Sequence, residues 1–192
     1  NVFGNIDSTT ITEDTREEVA AIWSAHKLLG ENYLRILNKL HNVKYTVLML
    51  PNVYGPSTSI DLMDRMVVNR VIKNAITNNV VTLFDNKSCL RDYLYIDDVI
   101  DAFQLLLDID DIYYNGSRFL LGSNKRRTIE DVWQEIVNQI PGTSVNYNTI
   151  ELASVEYRDY ISSTDKFNSA TKWSPKVKLS DGIAKTIEVY ND

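Results

Sequence analysis

Apolar residues recur along the chain with two different periods, and the alternation between those periods sets out the elements. From Val19 to Leu40, the residues Ile22, Leu29, Tyr33, Ile36 and Leu40 fall at helical spacing. They follow an acidic stretch, TEDTREE, that suits the positive end of a helix dipole. Trp23, Lys27, Gly30 and Leu34 run along the same predicted helix as a second line. The run KYTVLMLP is short, β-rich and closed by Pro51, which predicts a strand followed by the loop NVYGP. Leu62 to Thr77 predicts a helix and VVTLF a strand. RDYLYI predicts a further strand, which leads into the helical DDVIDAFQLLLD with its acids at the N-terminus. RFLLG predicts another strand. Thr128 then opens a helix with Asp131 three residues on, a capping box in which Asp stands for the usual Glu or Gln. VNYNTI predicts a strand, and helices are expected near 165–172 and 180–190. Strands alternate with helices throughout, so the fold class is α/β.

Composition narrows the function. At 192 residues with 44% hydrophobic content, the chain can bury a core of ordinary domain size, and disorder is not the expectation. A net charge of −6 and a pI near 5.0 argue against a nucleic-acid partner, which would need a basic stripe. The single cysteine, Cys89, excludes an intrachain disulfide framework and fits a reducing compartment. No apolar run approaches membrane-spanning length and no signal-peptide pattern opens the chain, so a soluble, cytoplasmic protein is expected. The opening NVFG reads as a start within an element, which leads us to expect a fragment, a processed chain or an incomplete one.

Several kinds of chemistry are missing. The seven glycines are too widely spaced for a dinucleotide fingerprint or a P-loop, and there is no G-x-S-x-G elbow. Two histidines and one cysteine cannot close a zinc site, so no metal is expected.

What remains is an ordered set of motifs. NVFGN followed by ITED is similar to a V-Y-G…I-T-E segment, WSAHKLLGENYL to a Y-x-x-x-K helix, and LMLPNVYGP to an R-x-x-N-x-Y-G-P loop. VTLFDNKSCLRDYLYIDDVIDAF resembles a run with R-D-f-x-y-V-D-D at its centre. STDKFNSATKWSPKVKLSDGIAKTIEVY resembles a closing segment with G-W-x-P at its centre. Together these resemble the extended short-chain dehydrogenase/reductases that act as NAD-dependent nucleotide-sugar epimerases and dehydratases. The resemblance runs over nearly the whole chain but lacks the first half of the family fold, which carries the G-x-x-G-x-x-G turn. It implies the C-terminal part of a Rossmann-like doubly wound sheet plus a small α/β substrate-binding subdomain. Residues 1–60 would end the Rossmann-like domain and 61–192 would form mainly the substrate-binding part, with 97–122 returning to the sheet.

The same resemblance assigns roles. Lys27 matches the lysine that binds the nicotinamide ribose and lowers the pKa of the neighbouring tyrosine; an exposed helix lysine is the plain alternative. Trp23 stands at the tyrosine position, yet an indole N–H only donates and cannot serve as a base. His26 is a poor substitute, because adjacent helix residues point about 100° apart. Asn52 and Arg91 match phosphate-binding positions, and arginine can grip a pyrophosphate bidentately. Their alternatives are a turn residue and a surface ion pair with Asp92. Thr82, Leu83 and Phe84 match the strand beside the nucleotide base, and Arg158 lies near a second phosphate-binding arginine. Met49, Lys87 and Leu120 depart from the family pattern, Lys87 at a tight turn where glycine is usual. Asp97 and Asp98 read as helix starters.

Two functions follow. One is the nucleotide-sugar-binding part of an NAD-dependent epimerase or dehydratase, with NAD held mainly outside this chain and a homodimer formed through helix 19–40. The other is a catalytically inactive nucleotide-sugar binder or accessory chain, with Trp23 filling the place of the base. Which nucleotide and which sugar are not legible.

Overall fold

The computed structural model describes residues 2–3, 10–108, 114–149 and 159–190, with the backbone alone at 60, 61 and 65. Arg158 and most of the opening NVFGN lie outside the described residues. In chain order the elements are β1 (Thr10–Ile11), α1 (Ile22–His41), β2 (Val47–Met49), β3 (Asn52–Tyr54), α2 (Val67–Asn78), β4 (Val80–Phe84), β5 (Leu90–Arg91) and β6 (Tyr93–Tyr95). There follow α3 (Ile96–Asp108), β7 (Arg118–Leu120), β8 (Arg127–Thr128), α4 (Ile129–Gln139), β9 (Ser144–Asn148), β10 (Ile161–Ser162), α5 (Asp165–Thr171) and α6 (Leu179–Glu188).

Four strand pairs are parallel: β1–β10, β2–β7, β3–β6 and β4–β9. Among the described residues β5–β8 is the one antiparallel pair. The run RDYLYI, expected as one strand, is two. β5 pairs with β8 and β6 with β3, so the ladder changes partner at Asp92. The expected helix from Leu62 also divides, into a 3₁₀ turn at Ile60–Arg65 and then α2.

Two main cores hold these elements. One gathers Tyr54, Ile72, Val81, Ile136 and Ile183 among α2, α4, α6 and their strands. The other stacks Phe119, Phe167 and Trp173 edge to face, with centroids 5.3 and 5.5 Å apart, beside Leu94 and Val99. The Thr128–Asp131 capping box forms as the spacing predicts: Asp131 N donates to Thr128 Oγ1, and Thr128 N donates to Asp131 Oδ2.

Asp98 corrects a sequence expectation. Although it lies in the first turn of α3, it is buried, and its carboxylate accepts the backbone N–H groups of Lys176 (2.8 Å) and Val177 (3.1 Å). Its carbonyl accepts Trp173 Nε1 at 3.1 Å. The residue therefore latches the 173–177 segment to α3 rather than merely starting a helix. Asp97, by contrast, stays exposed.

α1 begins at Ile22 rather than Val19, and its N-cap, Ala21, has no side-chain hydrogen bond. The acids ahead of it do not charge its first turn; Glu17 pairs with Arg118 instead, at 2.5 Å. Only Ser24 of α1 is fully buried, while Ile22, Leu29, Tyr33, Ile36 and Leu40 are exposed. Polar links fasten the helix: Arg118 Nε lies 3.0 Å from Glu31, and Asn38 Nδ2 donates to Asn115 Oδ1 at 3.0 Å. No described helix is long and apolar enough to cross a membrane.

Candidate active site

A cavity of about 1090 Å³ is lined by α1, β2, the start of β3, Arg91 and Asp92 at the end of β5, and β7. Trp23, Lys27, Met49, Asn52, Arg91 and Tyr160 are among the residues on its walls. Helical spacing brings Trp23 and Lys27 onto one face, one turn apart, and the Lys27 ammonium lies 5.3 Å from the indole centroid. Glu31, one further turn along, is directed to Arg118 and Arg35. Lys27 is consequently left with no carboxylate in ion-pair range among the described residues. His26 is exposed and does not line the cavity.

Asn52 sits at the head of β3, in register with Tyr93, rather than in a turn. Its Nδ2 and its backbone N each donate to the Asp92 carbonyl at 3.1 Å, which fixes the amide at the cavity wall. Arg91 is buried. Its Nη1 donates to the Leu90 carbonyl at 2.9 Å, and its guanidinium stands 5.3 Å from the Tyr160 ring centroid. The expected alternative partner, Asp92, is occupied elsewhere: Oδ1 accepts Ser123 N (2.8 Å) and Ser123 Oγ (2.7 Å), and Oδ2 accepts Ser162 N (3.1 Å). Burial still raises the Asp92 pKa above its ordinary value, outweighing these hydrogen bonds. Gly122 is required beside it, because a Cβ there would collide with the Asp92 carboxylate.

Thr82 and Phe84 are not on the cavity wall. They lie on β4, beside β9, and the Thr82 carbonyl accepts Trp133 Nε1 at 3.0 Å. Lys87 does not need a left-handed backbone: it lies in a 3₁₀ turn, Asp85–Ser88, and pairs with Glu130 at 2.9 Å. Met49 has Arg118 Nη2 3.5 Å from its sulfur, so the neighbouring strand supplies a guanidinium beside that position. Leu120 is buried, and its backbone N donates to Glu13 at 2.8 Å. Sequence reading passed over Asp92, Arg118, Glu13 and Tyr160. The RD pair and the acid of ITED were visible as motifs, but their partners lie far away in sequence. No group of three or more His, Cys, Asp or Glu side chains is arranged for a metal among the described residues.

Chemically, the walls offer donors. An ammonium, a guanidinium and an amide from separate elements line the same cavity, with aromatic rings also on its wall. That set suits a ligand with phosphate oxygens and a ring to cover. The indole of Trp23 donates only and cannot take up a proton.

The chain is 26% identical over 194 residues to a UDP-glucose 4-epimerase of Mycolicibacterium smegmatis, covering 100% of this chain and 60% of that protein. It superposes on the UDP-glucose 4-epimerase of Thermotoga maritima, solved with UDP-glucose, with a TM-score of 0.84 at 24% identity, over 98% of this chain and 59% of that one. A UDP-glucuronic acid 4-epimerase from Bacillus cereus, solved with UDP-glucuronic acid and NAD, gives 0.82 at 25% identity, over 99% and 58%. The chain thus spans about 60% of the length of the M. smegmatis relative. The sequence pattern of the NAD dependent epimerase/dehydratase family matches residues 1–122, and the chain belongs to that family.

Proposed function

We propose that this chain forms the nucleotide-sugar-binding side of an NAD-dependent epimerase or dehydratase. The reading rests on one observation: Lys27, Asn52 and Arg91, matched to binding roles by their motifs, line one cavity although they come from three separate elements. Arg91 would hold the diphosphate as a fork, and the Asn52 amide would add a donor to it. The strand holding Thr82 and Phe84, and Arg158 beyond it, would flank the base and the second phosphate. Residues 1–60 would complete the cofactor-binding domain, and 61–192 would form mainly the substrate-binding part, apart from 97–122. NAD, which supplies hydride transfer when bound, would meet this chain at Lys27. The ammonium on the cavity wall suits the ribose hydroxyls, while the chain has no glycine-rich turn for the pyrophosphate. The exposed line Ile22, Leu29, Tyr33, Ile36 and Leu40 supports a homodimer through helix 19–40. A single, buried cysteine supports a cytoplasmic setting.

Trp23 favours a second reading, a binder that does not turn over, because its ring stands where a base is needed. Calorimetry with a uridine diphosphate sugar, followed by a turnover assay in the full-length polypeptide, tests both. Binding with turnover supports the enzyme, binding without turnover supports the binder, and no binding removes both readings.

A further inference from the structure

A second, smaller cleft of about 130 Å³ is walled by Tyr54, Tyr93, Ser123, Lys125, Arg127 and the 175–179 segment. Lys125, Arg127, Lys176 and Lys178 all line it, in a chain whose net charge is −6. Lys176 is neutralised by Asp101 at 2.7 Å. Lys125, Arg127 and Lys178 have no carboxylate in ion-pair range among the described residues. The acids nearby are already engaged: Asp98 by two backbone N–H groups, Asp131 by the Thr128 cap, and Asp181 by the Ser180 hydroxyl. Tyr93 is buried on the wall, and its hydroxyl makes no hydrogen bond to a described residue.

Both walls are set in advance. Ser123 is held by Asp92 through N and Oγ, Asn124 Oδ1 accepts Thr164 Oγ1 at 2.7 Å, and Asp98 pins the backbone at Lys176 and Val177. Basic side chains gathered on a cleft concentrate counter-ions there.

We propose that this cleft is a small oxyanion site, taking a phosphate group either free or at the end of a small metabolite. Its volume matches on the order of four water molecules, which accommodates one tetrahedral oxyanion and little more. Arg127 and Lys178 supply the charge from opposite walls, Lys125 adds to it at the rim, and the Tyr93 hydroxyl donates. The site is separate from the large cavity, with Asp92 between them: it lines the first, and its carboxylate holds Ser123, which lines the second.

The full-length polypeptide is titrated with inorganic phosphate by NMR or calorimetry at constant ionic strength, with chloride as the control, and then with a hexose phosphate. We expect saturation at millimolar phosphate and none with chloride. Arg127→Gln should weaken it at least fivefold, the Arg127→Gln/Lys178→Gln pair further, and Arg91→Ala less than twofold. Tighter binding of the hexose phosphate than of free phosphate assigns the group to a metabolite; the reverse assigns it to the free ion. Acylation of Lys125 and Lys178 should be slowed by phosphate, a readout that needs no variant. Equal responses to phosphate and chloride, or unslowed acylation, would overturn the proposal. So would phosphate binding that Arg91→Ala abolishes and Arg127→Gln leaves intact, which would locate the ion in the large cavity.

Discussion

The ammonium of Lys27 lies over the ring of Trp23, 5.3 Å from its centroid, one helical turn away on α1. In a nucleotide-sugar epimerase or dehydratase the partner of such a lysine would be a phenol able to give and take a proton. Here it is an indole that does neither, although its π face still attracts the cation. Trp23→Tyr in the full-length polypeptide should therefore raise turnover of a nucleotide sugar by about 10²- to 10⁴-fold, the usual contribution of a positioned base. Steady-state kinetics of the two forms side by side will measure it. Equal rates would mean that the proton passes through some other group.

Arg91 carries the binding side of the proposal. Truncation to alanine should weaken the affinity for a uridine diphosphate sugar by about 1.5–3 kcal/mol, the size of a hydrogen bond to a charged group. Arg91→Lys should recover part of the loss, since the charge returns without the fork. Calorimetry that finds an unchanged Kd in Arg91→Ala would take this residue out of the site.

Asp92 makes stability depend on pH in a particular direction. Burial holds its folded-state pKa above the ordinary 3.8, so the native state keeps the proton more tightly than the unfolded chain does. The stability linked to this group is fully present below the unfolded pKa and is lost as pH rises through the folded one. The Tm of the wild type minus that of Asp92→Asn should accordingly increase as pH is lowered from neutral toward 4. Subtracting the variant removes the acid destabilisation that other carboxylates cause in both proteins. A difference that shrinks on acidification would show that the three hydrogen bonds outweigh burial.

Asp98→Ala should destabilise the fold by about 1–3 kcal/mol, because the N–H groups of Lys176 and Val177 lose their acceptor. Urea unfolding followed by tryptophan fluorescence will detect it, as Trp173 is fastened to the same residue. An unchanged midpoint would mean that water replaces the carboxylate freely.

Residues 1–192 expressed alone should self-associate. Ile22 is 77% exposed, Leu40 67% and Leu107 84%, and Val47–Met49 pairs only with β7 among the described strands. An open parallel edge flanked by apolar helix faces is a surface that soluble monomers rarely present. Sedimentation will decide it, and a monodisperse monomer that melts cooperatively would refute the expectation.

The α/β alternation and the Thr128 cap were legible because each rests on local spacing, and motifs singled out Lys27, Asn52 and Arg91, which line one cavity. The break in RDYLYI was not, since it depends on two partner strands that the run itself does not reveal. Asp98 illustrates the same limit. From its neighbours it is a helix starter, and only the 173–177 segment, more than 70 positions on, turns it into a latch. Helical periodicity marked the apolar face of α1 correctly but could not tell whether the described chain covers it.

The pairing of Thr10–Ile11 with Ile161–Ser162 bears on how the protein is made. That ladder, together with the reach from Asp92 to Ser162 across 70 positions, joins the cavity walls only when the C-terminal segment arrives. Closing so long a loop is slow, because its entropy is lost before the contacts form. On the ribosome the earlier strands can pair while the cavity is still open on one side, and Arg91 gains the ring of Tyr160 only once the chain has been made that far. A nascent chain stalled before Tyr160 would thus have several formed elements while the cavity still lacks the wall that Tyr160 and Ser162 supply.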